Sequence, residues 1–193
     1  MNAPVDLTFV RVRTPRLLLR AWRPDDLDDL YAYARVDGVG QMAGWMPHDS
    51  RSESERILRR FIEGKHTFAL VLLESGRVVG SLGLEEGRVF PASLPPSALG
   101  REIGYVLARD MWGQGLMPEA VRAVIRLCFS DWKWDYLTVG HFSWNDQSRR
   151  VIEKCGFHRI GEIEMATRCG TVEQVYKYCL TRADWQAAEP AAD

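Results

Sequence analysis

A glycine turn, Gly113-Gln114-Gly115, stands between an apolar β run at Arg101 to Leu107 and a helical stripe at Met117 to Phe129, and this junction constrains the chain more than any other feature. In the stripe, Val121, Val124, Ile125 and Cys128 recur at helical spacing, and Tyr136 to Phe142 then reads as a further strand. A strand, a helix and a second strand in succession argue for one parallel or near-parallel pair, because antiparallel neighbours need only a tight hairpin.

The remaining pattern fills in the sheet around that pair. Arg16 to Trp22 is a β-prone run, and Pro24-Asp25-Asp26 starts a helix carrying Leu27, Leu30, Tyr31 and Ala34 on one face. Val36 to Ser50 is punctuated by glycines and reads as a shaped loop that can line a pocket. Ser52 with Glu55 signals a capping box, and Ile57, Leu58, Phe61 and Ile62 form a second helical stripe ending at Gly64. Thr67 to Leu73 and Arg77 to Leu84 flank a short connection containing Gly76, so they pair antiparallel. Glu86 to Gly100 holds three prolines and reads as a loop. Gly104, inside the next strand, marks a bulge or a close backbone approach. Asn145 to Cys155 is a helix, followed by strands at Phe157 to Ile163 and Glu173 to Leu180. The order β-α-α-β-β-β-α-β-α-β-β predicts an α/β architecture, a mixed, mostly antiparallel central sheet with helices on both faces.

A chain of 193 residues, 46% hydrophobic, has enough apolar material for one core and too little for two. Residues 1–13 read as an N-terminal extension, 14–184 as the domain and 185–193 as a frayed tail. With 25 Lys+Arg against 26 Asp+Glu there is no global field to recruit nucleic acid or an anionic membrane. The polar N-terminus and the lack of a long apolar run predict a soluble, unexported, cytoplasmic protein without membrane contact. Cys128, Cys155, Cys169 and Cys179 lack C-x-x-C spacing and read as free thiols. His48, His66, His141 and His158 are scattered, so no metal site is expected.

The glycine turn fails two nucleotide fingerprints. Pro118 stands where a third dinucleotide-binding glycine belongs, and no Gly-Lys-Ser/Thr follows. What remains is a turn opening a helix with Pro118 at its first position and no capping side chain at Met117, so the first N–H groups stay free for an external anion. A purely structural turn remains open beside this phosphate cradle, since glycines also end strands for steric reasons. Some thirty residues on, Asn145, Ser148 and the run Glu153-Lys154-Cys155-Gly156-Phe157 offer a clamp for whatever trails from that anion. The pair suggests a phosphate-tailed ligand, with coenzyme A the best candidate.

Two motifs at this separation resemble the GCN5-related N-acetyltransferase (GNAT) superfamily, and within it the ribosomal-protein-alanine N-acetyltransferase branch. Glu102 to Leu107 followed by Asp110-Met111-Trp112-Gly113-Gln114-Gly115 is similar to the family's central motif, Gln/Arg-x-x-Gly-x-Gly/Ala. Asn145 to Ser148 through Glu153 to Phe157 is similar to its next one, Asn-x-x-Ser ending Glu-Lys-x-Gly-Phe. The resemblance spans about Thr14 to Asp184 and implies a sheet splayed at an acetyl-CoA site. It implies that the backbone of Tyr105, Val106 and Leu107 pairs with the pantetheine amides. It further implies that Gly113, Gln114, Gly115 and Leu116 hold the pyrophosphate, that Asn145 bonds the pantetheine arm, and that Ser148 lies near the thioester sulfur. Asp110 departs from the family's Gln or Arg, and a carboxylate there is unfavourable unless it points away; Arg109 or Arg150 can supply the cation instead.

Acetyl transfer to an amine needs a base, an oxyanion donor and an acid for the thiolate. Many family members place a Tyr acid where this chain has Ile152, so Ser148 is the substitute, though a helix cap or surface serine fits the same residue. Glu102 is the first choice of base; the competing reading is a strand carboxylate paired with Arg101 or another cation. His141, where the family's sheet splays, is the second choice; a solvated or hydrogen-bonded histidine is the alternative. By resemblance Trp22, Trp45, Pro47 and His48 shape the acceptor site, unless these aromatics are core.

The acceptor's own pKa sets how much base is required. Near pH 7.5 an α-amine of pKa about 8 is roughly a quarter neutral, whereas a lysine near 10.4 is about a thousandfold protonated, a cost on the order of 4 kcal/mol. The lack of an unambiguous base therefore leans towards an α-amine. Three readings follow: transfer to a protein or peptide N-terminus, transfer to a small amine such as an aminoglycoside, polyamine or amino acid, and a non-catalytic acyl-CoA-binding module. The protein is expected as monomer or homodimer.

Overall fold

Residues 1–188 are described in the computed structural model. They build one eight-stranded sheet of order β1-β2-β3-β4-β5-β6-β8-β7. The strands are β1 (Arg11–Arg13), β2 (Leu17–Ala21), β3 (Thr67–Leu72), β4 (Val78–Glu85), β5 (Gly100–Leu107), β6 (Tyr136–Phe142), β7 (His158–Ala166) and β8 (Val172–Thr181). Only β5 and β6 run parallel; every other neighbouring pair is antiparallel. The parallel pair is the one joined through a helix, as the strand-helix-strand pattern demands.

The helices are α1 (Leu27–Ala34), α2 (Arg51–Gly64), α3 (Leu116–Arg126), α4 (Asp146–Lys154) and α5 (Arg182–Ala188). They take both faces. Ser81 stands opposite Val106 in the β4–β5 register and bonds Tyr33 of α1. The next residue, Tyr105, points to the opposite face and bonds Ser148 of α4. With helices above and below, β3 and β4 are buried almost throughout, which explains their near-continuous apolar reading.

Several boundaries differ from the sequence reading for identifiable reasons. The cap of α2 is Ser50, accepting Glu53 N at 3.2 Å, while the Glu53 carboxylate takes Asp49 N at 3.0 Å. The helix is thus capped two residues before the expected Ser52-Glu55 pair, and Glu53 reaches back to the residue ahead of the cap rather than closing a capping box on Ser50. Helix α3 begins at Leu116 with Gly115 as its cap, so Pro118 sits third in the helix rather than first, where it still has no N–H to leave unpaired. Past Arg126 the chain widens into a π-turn, Leu127–Asp131, which keeps Cys128 and Phe129 in the core.

Both ends are more integrated than the pattern suggested. Residues 1–13, read as an extension, bury Ala3 and Leu7 completely, and the Ala3 amide bonds Gly100 O at 3.0 Å. Arg101 Nε in turn bonds Ala3 O at 2.6 Å, and β1 pairs with β2. At the other end, α5 forms where a frayed tail was expected, and Trp185 packs on Phe129 with ring centroids 5.7 Å apart. Residues 189–193 of that expected tail lie outside the described residues. No helix among the described residues is long and apolar enough to cross a membrane, and none of their His, Cys, Asp and Glu side chains form a group that could hold a metal.

Candidate active site

The site begins where the sheet splits. β5 pairs with β4 from Glu102 to Leu107, but with β6 only from Gly100 to Ile103. From Gly104 onward β5 has no ladder partner on its β6 side. A strand edge opened in the middle of a sheet leaves backbone groups for an extended ligand to take. Ala108 N bonds Val79 O, so in the antiparallel register Val106 turns its backbone groups to β4 while Tyr105 and Leu107 turn theirs to the open edge, where the Leu107 carbonyl already accepts Trp112 Nε1 at 2.8 Å.

β5 leads into the glycine turn through a short 3-10 turn, Arg109–Met111. Gly113 and Gly115 have φ of 76° and 75°, a left-handed backbone that other residues adopt at a cost of roughly 1–2 kcal/mol each. Their geometry aims the chain so that Gln114, Gly115, Leu116 and Met117 present N–H groups with no acceptor among the described residues. The positive end of α3 adds to this anion-attracting array. Arg16 braces the turn from β2's side: its Nη1 bonds Gln114 O at 2.8 Å and its Nε bonds Glu119 at 2.7 Å.

Asp110 points away from the cradle and meets Arg77 Nη2 at 2.6 Å, so the departure from the family motif is neutralised locally. Arg109 reaches Asp37 O at 3.3 Å instead of the turn. Arg150 and Lys154, one helical turn apart on α4, line the cleft, and no ion pair holds either side chain among the described residues.

Helix α4 forms the opposite wall. Asn145 caps it, taking Ser148 N at 3.0 Å, and its Nδ2 bonds Met42 O at 3.1 Å. The side chain, 4% exposed, thereby ties the helix to the loop between α1 and α2. Ser148 Oγ lies 2.8 Å from the Tyr105 hydroxyl, whose pKa burial pushes up, so this phenol stays protonated. Ile152 is 1% exposed and faces the core, whereas Ser148 and Val151 face the cleft. The cleft encloses about 370 Å³ and runs from Gly113, Gly115 and Leu116 past Val106 and Leu107 to Tyr105, Asn145 and Ser148. All the expected coenzyme-site residues except Gln114 line it, and Gln114 stands between two that do.

The two candidate bases are both engaged. Glu102 Oε1 sits 2.6 Å from Lys177 Nζ, and Oε2 accepts Arg88 N at 3.3 Å. The carboxylate does have a cation partner, but it is Lys177 on β8 rather than Arg101. Lys177 reaches it by crossing β6 over Gly140, where a Cβ would come within 3.1 Å of the lysine stem. His141, 4% exposed, bonds Phe142 O through Nδ1 at 2.8 Å and the Tyr178 hydroxyl through Nε2 at 3.1 Å. Burial lowers its pKa, which makes it a neutral, internally bonded imidazole. It does not line the cleft.

The expected acceptor residues separate from the cleft as well. Trp22 is 4% exposed and packs on Phe61 with ring centroids 5.3 Å apart. Trp45 packs against His48 with the rings tilted by 43°, His48 Nδ1 is 2.7 Å from Ser54 Oγ, and Pro47 is half-buried beside them. The same loop contributes Val39, Met42 and Ala43 to the cleft instead. Nothing in the local sequence distinguishes these three. Lys177 did leave a signal: it alternates with Val175 and Cys179 on one face of a buried strand, an interior position for a cation.

A family model described as an acetyltransferase (GNAT) domain matches residues 16–158. The chain belongs to this family and is an N-acetyltransferase enzyme. An uncharacterized N-acetyltransferase, p20, of Bacillus licheniformis is 24% identical over 183 residues, covering 89% of this chain and 96% of that protein. Among solved structures, a GNAT-family acetyltransferase from Bacillus anthracis overlays with a TM-score of 0.77 at 19% identity, covering 90% of this chain and 99% of that one. The ribosomal-protein-S5-alanine acetyltransferase of Vibrio fischeri gives 0.70 at 21%, covering 94% and 100%. AAC(6')-Ib in complex with ribostamycin and coenzyme A gives 0.69 at 21%, covering 92% and 99%. These likenesses are of fold.

Proposed function

We propose that this acetyltransferase uses acetyl-CoA to acetylate a primary amine, most naturally the α-amine of a protein or peptide N-terminus, by direct attack in a ternary complex. The observation that carries the reading is one continuous cleft joining unclaimed N–H groups at the glycine turn, the free edge of β5 and the Ser148 hydroxyl. The fit to coenzyme A is chemical. An array of backbone donors with Arg150 and Lys154 nearby suits phosphates, an open strand edge suits the amides of a pantetheine arm, and a hydroxyl lies beyond it.

In this scheme Gln114 to Met117 hold the pyrophosphate and the β5 edge aligns the arm. Asn145 fixes α4 against the loop and so sets where Ser148 stands. The Ser148 hydroxyl, backed by Tyr105, gives its proton to the departing sulfur. Glu102 accepts the proton of the amine directly or through water. Its Oε1 is already held by Lys177 and its Oε2 by the Arg88 amide. Neutral His141 has no free nitrogen to offer. A site whose two candidate bases are both already hydrogen-bonded suits an acceptor that is already partly neutral near pH 7.5, which supports an α-amine over a lysine side chain.

Coenzyme A release, measured against N-terminal peptides, free amino acids, polyamines and aminoglycosides, tests the proposal. Turnover of peptides with free α-amines supports it, and turnover confined to polyamines or aminoglycosides sinks the N-terminal assignment. Acetyl-CoA binding without turnover of any amine sinks the reaction itself.

A further inference from the structure

We infer that Glu85 is a specificity-determining residue that holds a cationic primary amine over Gly104, on the face of the sheet opposite Tyr105. This rests on the acetyl-transfer reading above and adds a seat for the acceptor that none of the expected acceptor residues provides. Thr67, Gly83 and Gly104 stand in one register across β3, β4 and β5, and Gly140 and Lys177 continue that row on β6 and β8. The β5–β6 ladder stops at Ile103, one residue short of the row. Three strands therefore bring side-chain-free positions together where the sheet parts.

The occupants around this trough differ in kind. Above Gly83 lies the Glu85 carboxylate, which a Cβ at Gly83 would strike. Above Gly140 lie the Lys177 stem and Val175, the latter within 2.9 Å of a Cβ position. Above Gly104 a Cβ would meet only Glu85 Cγ, at 3.9 Å, and Gly104 is exposed. Neither a left-handed backbone nor packing requires glycine there, so the open volume is not a by-product of either.

Charge identifies what suits that volume. Glu85 and Glu102 are directly opposite in the β4–β5 register, a like-charged pair that is unfavourable unless compensated. Each has one basic side chain at its outer side: His66 Nε2 lies 3.2 Å from Glu85, and Lys177 Nζ 2.6 Å from Glu102. An ammonium over Gly104 would stand near both carboxylates. Two hydroxyls on this same face add an independent sign of a missing polar ligand. Thr138 Oγ1, beside Glu102 and 0% exposed, and Thr67 Oγ1, beside Gly83 and 4% exposed, have no hydrogen-bond partner among the described residues. A fully substituted amine carbon would press on the Glu85 stem or on Val175, so the seat takes an amine whose carbon keeps a hydrogen, an α-amine included.

The test uses n-butylammonium chloride as probe, titrated into the folded protein at constant ionic strength while backbone amide NMR shifts are followed. Saturable shifts at Gly83 and Gly104 are expected. Glu85→Gln and Gly104→Ala should each weaken them at least fivefold, and tert-butylammonium should not produce them. Calorimetric affinity for acetyl-CoA should stay within twofold in both variants. No saturable shift in the parent protein, or less than fivefold weakening in Glu85→Gln, overturns the inference. Turnover on the same samples reads the reaction separately: amine binding at Gly104 without acetyl transfer leaves the seat standing and sinks the function.

Discussion

Replacing Glu102 with glutamine removes one half of an ion pair whose other half cannot reach water. The Lys177 side chain is 2% exposed and that of Glu102 18%, with 2.6 Å between the charged atoms. Removing one partner of a buried pair typically costs 3–5 kcal/mol, because an uncompensated charge stays behind; partial exposure of Glu102 places this case near about 3. For a chain of this size each kcal/mol moves the midpoint by about 2–4 °C, so Glu102→Gln should melt roughly 6–12 °C lower. Adding Lys177→Met removes the stranded charge while keeping the stem that crosses Gly140, and should recover most of the loss. Scanning calorimetry on the three proteins decides. If Glu102→Gln melts with the parent, or the double variant melts no higher than the single one, the pair is not what holds this part of the sheet. The double variant then makes the base assignment readable without the confounding loss of fold. If Glu102 accepts the amine's proton, kcat/KM should fall most near pH 6.5 and recover partly by pH 9, where an α-amine is already neutral.

Gly115→Val forces a β-branched residue into a backbone with φ of 75° at the helix start, and should weaken acetyl-CoA at least tenfold, about 1.4 kcal/mol, in calorimetry. Unchanged affinity in a folded variant counts against the cradle. Ser148→Ala should lower kcat by about 10- to 100-fold with acetyl-CoA affinity nearly intact. A change confined to affinity makes Ser148 a binding residue and moves the proton donor elsewhere. His141, whose pKa burial lowers, should make the fold acid-sensitive: below about pH 6.5 the unfolded chain takes up a proton that the folded one refuses. Its contribution is whole above that pH and is lost as pH falls, by up to about 1.4 kcal/mol per pH unit. His141→Gln should flatten stability between pH 6.5 and 5 in denaturant titrations, and an unaltered slope refutes the assignment.

The parts of this molecule that could be read from the sequence are those specified by neighbours in the chain. The glycine turn, the uncapped helix after it, the Asn145 cap and the strand-helix-strand pair depend on residues within one or two elements of each other. They place nearly the whole coenzyme-side wall. What could not be read depends on elements far apart. Lys177 meets Glu102 across a 75-residue separation, and Met42 O meets Asn145 across 103. The aromatics of the α1–α2 loop looked like an acceptor wall because aromatic residues serve cores and pockets alike, and here Trp45 and His48 use each other. The short β1 and α5 carry too few apolar residues for periodicity to register.

The loop between α1 and α2 is pinned largely through atoms that every residue possesses. Met42 O accepts from Asn145, Gly44 O from Arg168 N at 2.8 Å, and Ala34 O takes His48 N at 3.1 Å. Gly38 and Gly44, with φ of 85° and 81°, and Gly40, which Trp45 overlies, are the positions whose identity the path requires. Met42 and Ala43 meanwhile face the cleft, and Val39, 1% exposed, lines it from the core. The loop thus separates route from lettering. Its course is written in main-chain bonds and three glycines, while the Met42 and Ala43 side chains can be exchanged without redrawing it, which makes these two positions the place to re-tune the pocket by mutagenesis.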